Sequence, residues 1–193
     1  MARTKNFDEL EALEKALNLF WRKGYNATSI HDLVETMGIN RASIYATWGD
    51  KHSLYIEALK RYRQKSSSWL LNEIRTEQSA LAIIRNFVYH TIETNSNDRE
   101  RKGCFMVNAS TELSNQDADV REIILDDRNT MEKVLSQLIT EAQQSGEITS
   151  SHASQSLARF IFNSVSGLRV LSKGTISKNE LTETVDVILS ALD

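Results

Sequence analysis

Not one proline occurs in the 193 residues of this chain, and its seven glycines are thinly spread. Proline stops a helix outright, because it lacks the N–H and its ring collides with the preceding turn. Without it, and with long runs of Leu, Ala, Glu, Lys, Arg and Gln, the sequence favours an all-α fold. Apolar residues at 40% provide for a core, and charged residues at 25% argue against extended disorder. The single Cys104 excludes an internal disulfide and any multi-cysteine zinc centre. There is no apolar leader and no run of about 18 apolar residues, so a cytoplasmic protein without a membrane partner is expected. The net charge of −3 speaks against a nucleic-acid partner, but basic residues outnumber acids over the first 65 positions.

Apolar spacing and capping residues divide the chain into about nine helices. The first, from Phe7, carries Leu10, Leu13, Ala16, Leu17 and Phe20 on one face and ends at Gly24, after a polar, basic start at residues 1–6. Asp50 is placed to cap a long fourth helix with Leu54, Ala58, Leu59 and Tyr62 inward, polar from Lys60 to Ser68, and apolar again at Trp69, Leu70, Leu71 and Ile74. Further helices are expected over Ser79–Asn95, after Gly103, from Asp117 or Asp119 to Ser145, from Ser151 to Leu171, and from Lys178 to Leu192. In the seventh, Val120, Ile124, Met131, Val134, Leu138 and Ala142 share a face. No Gly/Ser linker separates residues 1–50 from residues 51–193, so two mechanically coupled units are expected. The last two helices are apolar on more than one side, with Ser164 and Gly167 permitting close approach, which points to a homodimer formed through them.

Between Thr28 and Lys51 the pattern narrows. Ile30, Leu33, Val34 and Met37 recur at helical spacing, Gly38 breaks the run, and Asn40 can cap a second short helix with Ile44 and Trp48 inward. Two helices about a short turn containing glycine form a helix-turn-helix, whose second helix enters the DNA major groove. Any αα-corner can share this outline.

Phe20, Gly24-Tyr25, Thr28-Ser29-Ile30, Met37-Gly38-Ile39, Ile44-Tyr45, Trp48, Lys51 and Leu54-Tyr55 together resemble the TetR family of bacterial transcriptional repressors. The resemblance covers residues 7–59 and implies a three-helix DNA-binding unit, residues 1–50. A long helix would join it to a helical ligand-binding and dimerisation domain, residues 51–193. Ala42, Thr47 and Trp48 stand where the family often has Gly, His or Tyr, and Phe. Gly103-Cys104 followed by Asn108 and Glu112 is similar to one branch of the family. The implied activity is a repressor that binds a palindromic double-stranded DNA operator as a dimer and is released by a small-molecule effector.

The candidate DNA contacts are Thr28, Ser29, Arg41, Ala42, Ser43, Tyr45, Ala46, Thr47 and Lys51. Thr28 and Ser29 open a helix, where a hydroxyl or free N–H groups can meet a phosphate, although simple capping serves as well. Lys51 is a cation in the first turn of the fourth helix, against the helix dipole, and a phosphate would compensate. Arg41 can take guanine O6 and N7, while Ala42 and Ala46 can lie on thymine methyls; a solvated Arg41 or a phosphate contact is the alternative.

The resemblance places a small-molecule pocket among the fourth to seventh helices, and polar groups within apolar stripes supply candidates. These are Trp69, Phe87, His90, Cys104, Asn108 and Asp127, each with an ordinary packing or ion-pairing alternative, for Asp127 with Arg128 or Arg121. An electrophile or redox sensor acting through Cys104 is a variant of this reading. No cofactor or metal is implied. An enzyme is disfavoured, because no HExxH, GxGxxG, P-loop or serine-elbow pattern occurs and no His has a Glu three residues before it. A helical scaffold without DNA binding is the third possibility, and the outward Arg41, Tyr45 and Lys51 count against it.

Overall fold

In the computed structural model, residues 7–77, 79–174 and 176–193 are described, those at 95–97 without their side chains. The basic segment at residues 1–6 lies outside the described residues. The described residues form nine α-helices and a closing 3-10 turn, with no strand. They are α1 (Glu9–Lys23), α2 (Ile30–Met37), α3 (Arg41–Trp48), α4 (Lys51–Thr76), α5 (Ala80–Asn97), α6 (Phe105–Leu113), α7 (Ala118–Ser145), α8 (Ser154–Leu171) and α9 (Lys178–Leu189), then the turn Ser190–Leu192.

Side-chain caps set most of the N-termini, each satisfying N–H groups that the helix itself leaves free. Asp8 accepts from Leu10 and Glu11, Asn40 from Ser43, Asp50 from Ser53 and Asp117 from Val120. Ser29 with Asp32, and Ser177 with Glu180, form reciprocal capping boxes at α2 and α9. Several boundaries differ from expectation: α1 starts at Glu9 rather than Phe7, α5 runs from Ala80 to Asn97, α8 starts at Ser154, and the last helix tightens into the 3-10 turn after Leu189.

The buried side chains fall into two clusters. The first joins Leu17, Phe20, Leu33, Ile44, Tyr55 and Leu59 of α1–α4 to Phe105, Ala109 and Leu113 of α6 and Val120 of α7. The second joins Leu70 at the far end of α4 to α5, the C-terminal part of α7, α8 and α9. Helix α4 spans both, about 39 Å at 1.5 Å per residue. Its polar middle crosses between them, held by ion pairs. Arg61 and Lys65 reach Glu14 of α1 at 2.7 and 2.8 Å, and Arg63 reaches Asp126 of α7 at 2.6 Å.

Some apolar residues read as inward are not. Leu10 is 51% exposed in the first turn of α1, and in the second apolar stretch of α4 Leu70 is buried while Leu71 is 56% exposed. On α7 the buried face is Leu135, Leu138, Ile139 and Ala142, with Met131 and Val134 only partly covered. Glu132 joins that face through its ion pairs with Arg128 and Arg159.

Candidate nucleic-acid interface and inner cavity

Gly38 adopts φ +70°, a left-handed conformation that favours glycine, and turns the chain from α2 into α3. Ile44 is fully buried and pins α3 to the first core. Arg41, Ala42 and Ala46 are thereby exposed, with Ser43, Tyr45 and Thr47 half-buried beside them. The Arg41 guanidinium donates to the Tyr45 hydroxyl at 3.1 Å and lies 5.3 Å from its ring centre, so the two form one unit along the helix. Lys51, in the first turn of α4, holds its ammonium 4.2 Å from the Tyr25 ring centre. Burial lowers its pKa, against the pull of Glu112 and Asp32.

Thr28 is 1% exposed and spends both donors inside the protein, its hydroxyl on Gly24 O at 2.6 Å and its N–H on Tyr25 O at 3.2 Å. The hydroxyl is therefore not presented to a phosphate, and Ser29 is the residue that caps α2. Thr47 Oγ1 is buried without a hydrogen-bond partner among the described residues.

A cavity of about 560 Å³ opens between α1, α4, α5, α8 and the segment leading into α6. His90 and Cys104 line it, in company with Trp21, Tyr62, Lys102 and Arg169. The Tyr62 hydroxyl lies 3.6 Å from Cys104 Sγ, and burial with the neighbouring thiol pushes the phenol pKa well up. Burial lowers the pKa of His90, and the Arg169 charge adds to this against Glu93.

The other residues read as ligand contacts take different places. Trp69 stands against His90 with rings parallel and centres 3.9 Å apart, reaching the cavity only through that imidazole. Phe87 is 4% exposed in the second core. Asn108 holds the loop before α6 by donating to Lys102 O at 2.9 Å, and its oxygen accepts from Lys173. Asp127 faces neither Arg121 nor Arg128 but Arg63, at 3.5 Å. Burial raises its pKa, opposed by Arg63 and Arg169. Sequence reasoning missed Trp21, Tyr62 and Arg169 as lining residues. Arg169 carried a signal, as a lone cation among Leu168, Val170 and Leu171.

Helix α6 connects the cavity to the helix-turn-helix. At its start, Gly103 O accepts from Trp21 Nε1 at 3.0 Å. Gly103 itself has φ +67°, and a Cβ there would stand 2.9 Å from Lys173 Cγ and 3.1 Å from Arg169 O. At its far end, the Glu112 carboxylate accepts from the N–H groups of Tyr25 (3.1 Å) and Asn26 (2.8 Å), in the turn between α1 and α2. A second tie runs from His52 of α4 to Asp117 at 2.7 Å, the residue whose other oxygen caps α7.

Comparison with known proteins agrees with this architecture. Residues 12–58 match the family described as bacterial regulatory proteins, tetR family, and residues 80–188 match the tetracyclin repressor-like C-terminal domain. The chain is 30% identical to the HTH-type transcriptional repressor ComR of Escherichia coli K12 over 97% of its own length and 90% of ComR. It is 28% identical to the HTH-type transcriptional regulator YezE of Bacillus subtilis strain 168 over the whole of both chains. Among solved structures, a cysteine mutant of the TetR family regulator CifR, bound to 26-base-pair operator DNA, superposes with a TM-score of 0.87 at 25% identity, covering 100% of both chains. With both parts matched in this order, and with α3 presented on a three-helix unit, the chain belongs to the TetR family of DNA-binding transcriptional regulators and is not an enzyme.

Proposed function

We propose that the protein is a repressor that binds a palindromic operator as a homodimer and releases it when a small molecule enters the inner cavity. One observation carries the release: the cavity wall at Gly103-Cys104 is the start of the short helix whose Glu112 holds the turn into α2. An occupant that displaces α6 must either move that turn or break two hydrogen bonds to a charged acceptor. Either result changes the angle of α3, and ligand and operator affinities are then reciprocally linked.

In this reading residues 1–50 bind DNA, and residues 51–193 carry the effector site and the dimer contact. Arg41, with Ala42, Ser43 and Ala46, faces base edges. Ser29, Tyr45, Lys51 and the N-terminal ends of α2 and α4 meet phosphates. Thr28 contributes by holding the turn before α2, and Thr47 packs at the end of α3. The dimer reading is supported by α8, where Phe160, Ser164, Gly167 and Leu171 follow one helical stripe, and Phe160 and Leu171 are 45% and 56% exposed. Among the described residues, and apart from the backbone of its own helix, no atom lies within 4 Å of the Gly167 Cβ position, so no tertiary contact described within the chain calls for a glycine there. A close approach by a second α8 does. The half-sites then lie about 34–36 Å apart, or a multiple of that.

A salt-titrated binding assay on DNA from upstream of the protein's own gene tests the reading. Lys51→Ala is expected to weaken binding to all sequences alike and to reduce the salt slope by about one unit. Arg41→Ala should relax preference at one base position, at a cost of about 1–3 kcal/mol. Failure to retard any candidate operator at low salt sinks it.

A further inference from the structure

The ionic lining of the cavity is balanced in number, Glu93, Asp98 and Glu100 against Arg99, Lys102 and Arg169, with Arg99 exposed to solvent, and its members differ in how they are partnered. Most of its ionic groups are already committed. Lys102 pairs with Glu100 at 3.3 Å and covers the Trp21 ring at 4.5 Å, and Glu100 also reaches Arg22. Asp98 accepts the Gly103 N–H at 2.8 Å. Glu93 is exposed on the rim and stands 3.9 Å from His90. Arg169 differs. It is half-buried on α8, it lines the cavity, and among the described residues its guanidinium makes no hydrogen bond or ion pair. The carboxylate that feels its charge most plainly, Asp127, is taken by Arg63.

A guanidinium stays charged at any working pH, and in a part-buried site its five donors need an acceptor. A planar, bidentate carboxylate is the acceptor that fits that fork. The adjoining walls are aromatic, with Trp21 and Tyr62 edge to face at 5.0 Å and the His90 imidazole backed by Trp69. The volume of about 560 Å³ is that of a small-molecule site. We propose that this cavity takes a small aromatic monocarboxylate, with Arg169 as the partner of its carboxylate and the aromatic walls against its ring. The proposal rests on the cavity being the effector site, and it names the ligand class of that site.

The test uses the full chain and matched pairs of non-electrophilic probes. Benzoate, salicylate and phenylacetate are each compared with their neutral amides, by calorimetry and by quenching of tryptophan fluorescence. At least one acid is expected to bind with a Kd near or below about 1 mM, and at least about tenfold tighter than its amide. Arg169→Met keeps most of the side-chain stem and removes the charge, so it should erase the acid-over-amide preference while leaving the melting temperature and operator binding unchanged. Arg169→Lys should restore part of the preference. Equal binding of acid and amide, a preference that survives in Arg169→Met, or no binding by any acid up to about 10 mM overturns the proposal. Operator release separates the two levels. If an amide binds and displaces operator as well as its acid does, the effector site stands and the ligand class fails. If an acid binds with the expected Arg169 dependence but never displaces operator, the ligand class stands and the effector role fails.

Discussion

Glu112 ties the end of α6 directly to the helix-turn-helix unit. Its carboxylate takes two N–H groups from the turn after α1, and its nearest oxygen would meet a Cβ on Gly24 at 3.0 Å. Glu112→Ala leaves both N–H groups without their acceptor in a half-buried turn. A cost of about 1–3 kcal/mol is expected, seen as a fall of about 2–8 °C in melting temperature. Glu112→Gln keeps an acceptor and should recover part of it. If the α6 link transmits ligand binding, Glu112→Ala will also uncouple operator release from cavity occupancy. Gly103→Ala probes the other end of the same helix. A side chain there meets Arg169 O at 3.1 Å in a left-handed conformation, and a loss of about 1–2 kcal/mol in denaturant unfolding is expected. The residues themselves gave unequal notice of these roles. His90 and Cys104 stood out as polar groups in apolar runs, whereas Trp21 looked like one more aromatic at the end of a helix.

At the scale of the element, α4 explains why a helix can be apolar at both ends and basic in the middle. Each end serves a different core, and the basic stretch lies where α4 passes from one to the other beside α1 and α7. Glu14 is the anchor on the α1 side. Burial alone would raise its pKa, but hydrogen bonds and charge from Lys65 and Arg61 outweigh that and hold it below the ordinary carboxylate value. A folded pKa below the unfolded one means that the clamp is fully present above the unfolded pKa, about 4.3. It is lost as pH falls through the folded value. Glu14→Gln should therefore melt about 1–3 °C lower than the parent at pH 7, in low salt. The difference should shrink towards zero as the pH drops below the carboxylate range, and a constant gap would contradict the clamp. The existence and capping of α4 could be read from Asp50 and the apolar stripe. Its two-core role could not, because nothing local says which neighbours a stripe will meet.

At the scale of the molecule, the outward stripe of α8 and the 69% exposed Val187 of α9 leave an apolar face on a chain whose described helices do not cover it. Phe160→Asp combined with Val187→Asp places two charges on that face and none in the core. With the dimer proposed above, light scattering on a sizing column should report the dimer mass for the parent and the monomer mass for the double variant. Operator affinity should fall by about 100-fold or more, because two half-sites are no longer read together. An unchanged dimer mass would move the contact elsewhere.

The sequence by itself determined the nine helices, the caps at Asn40 and Asp50, the turn at Gly38 and the exposed start of α3. Each depends on hydrogen bonds and steric limits within about four residues, and such a window is visible in the chain order. Only the tertiary structure decided that α6 shares the core of α1–α4, that Glu112 grips the turn 87 residues before it, and that Arg169 lines one cavity with Trp21 and Tyr62, without a partner among the described residues. Those relations depend on how helices cross, and crossing is set by the shapes of surfaces brought together from distant parts of the chain.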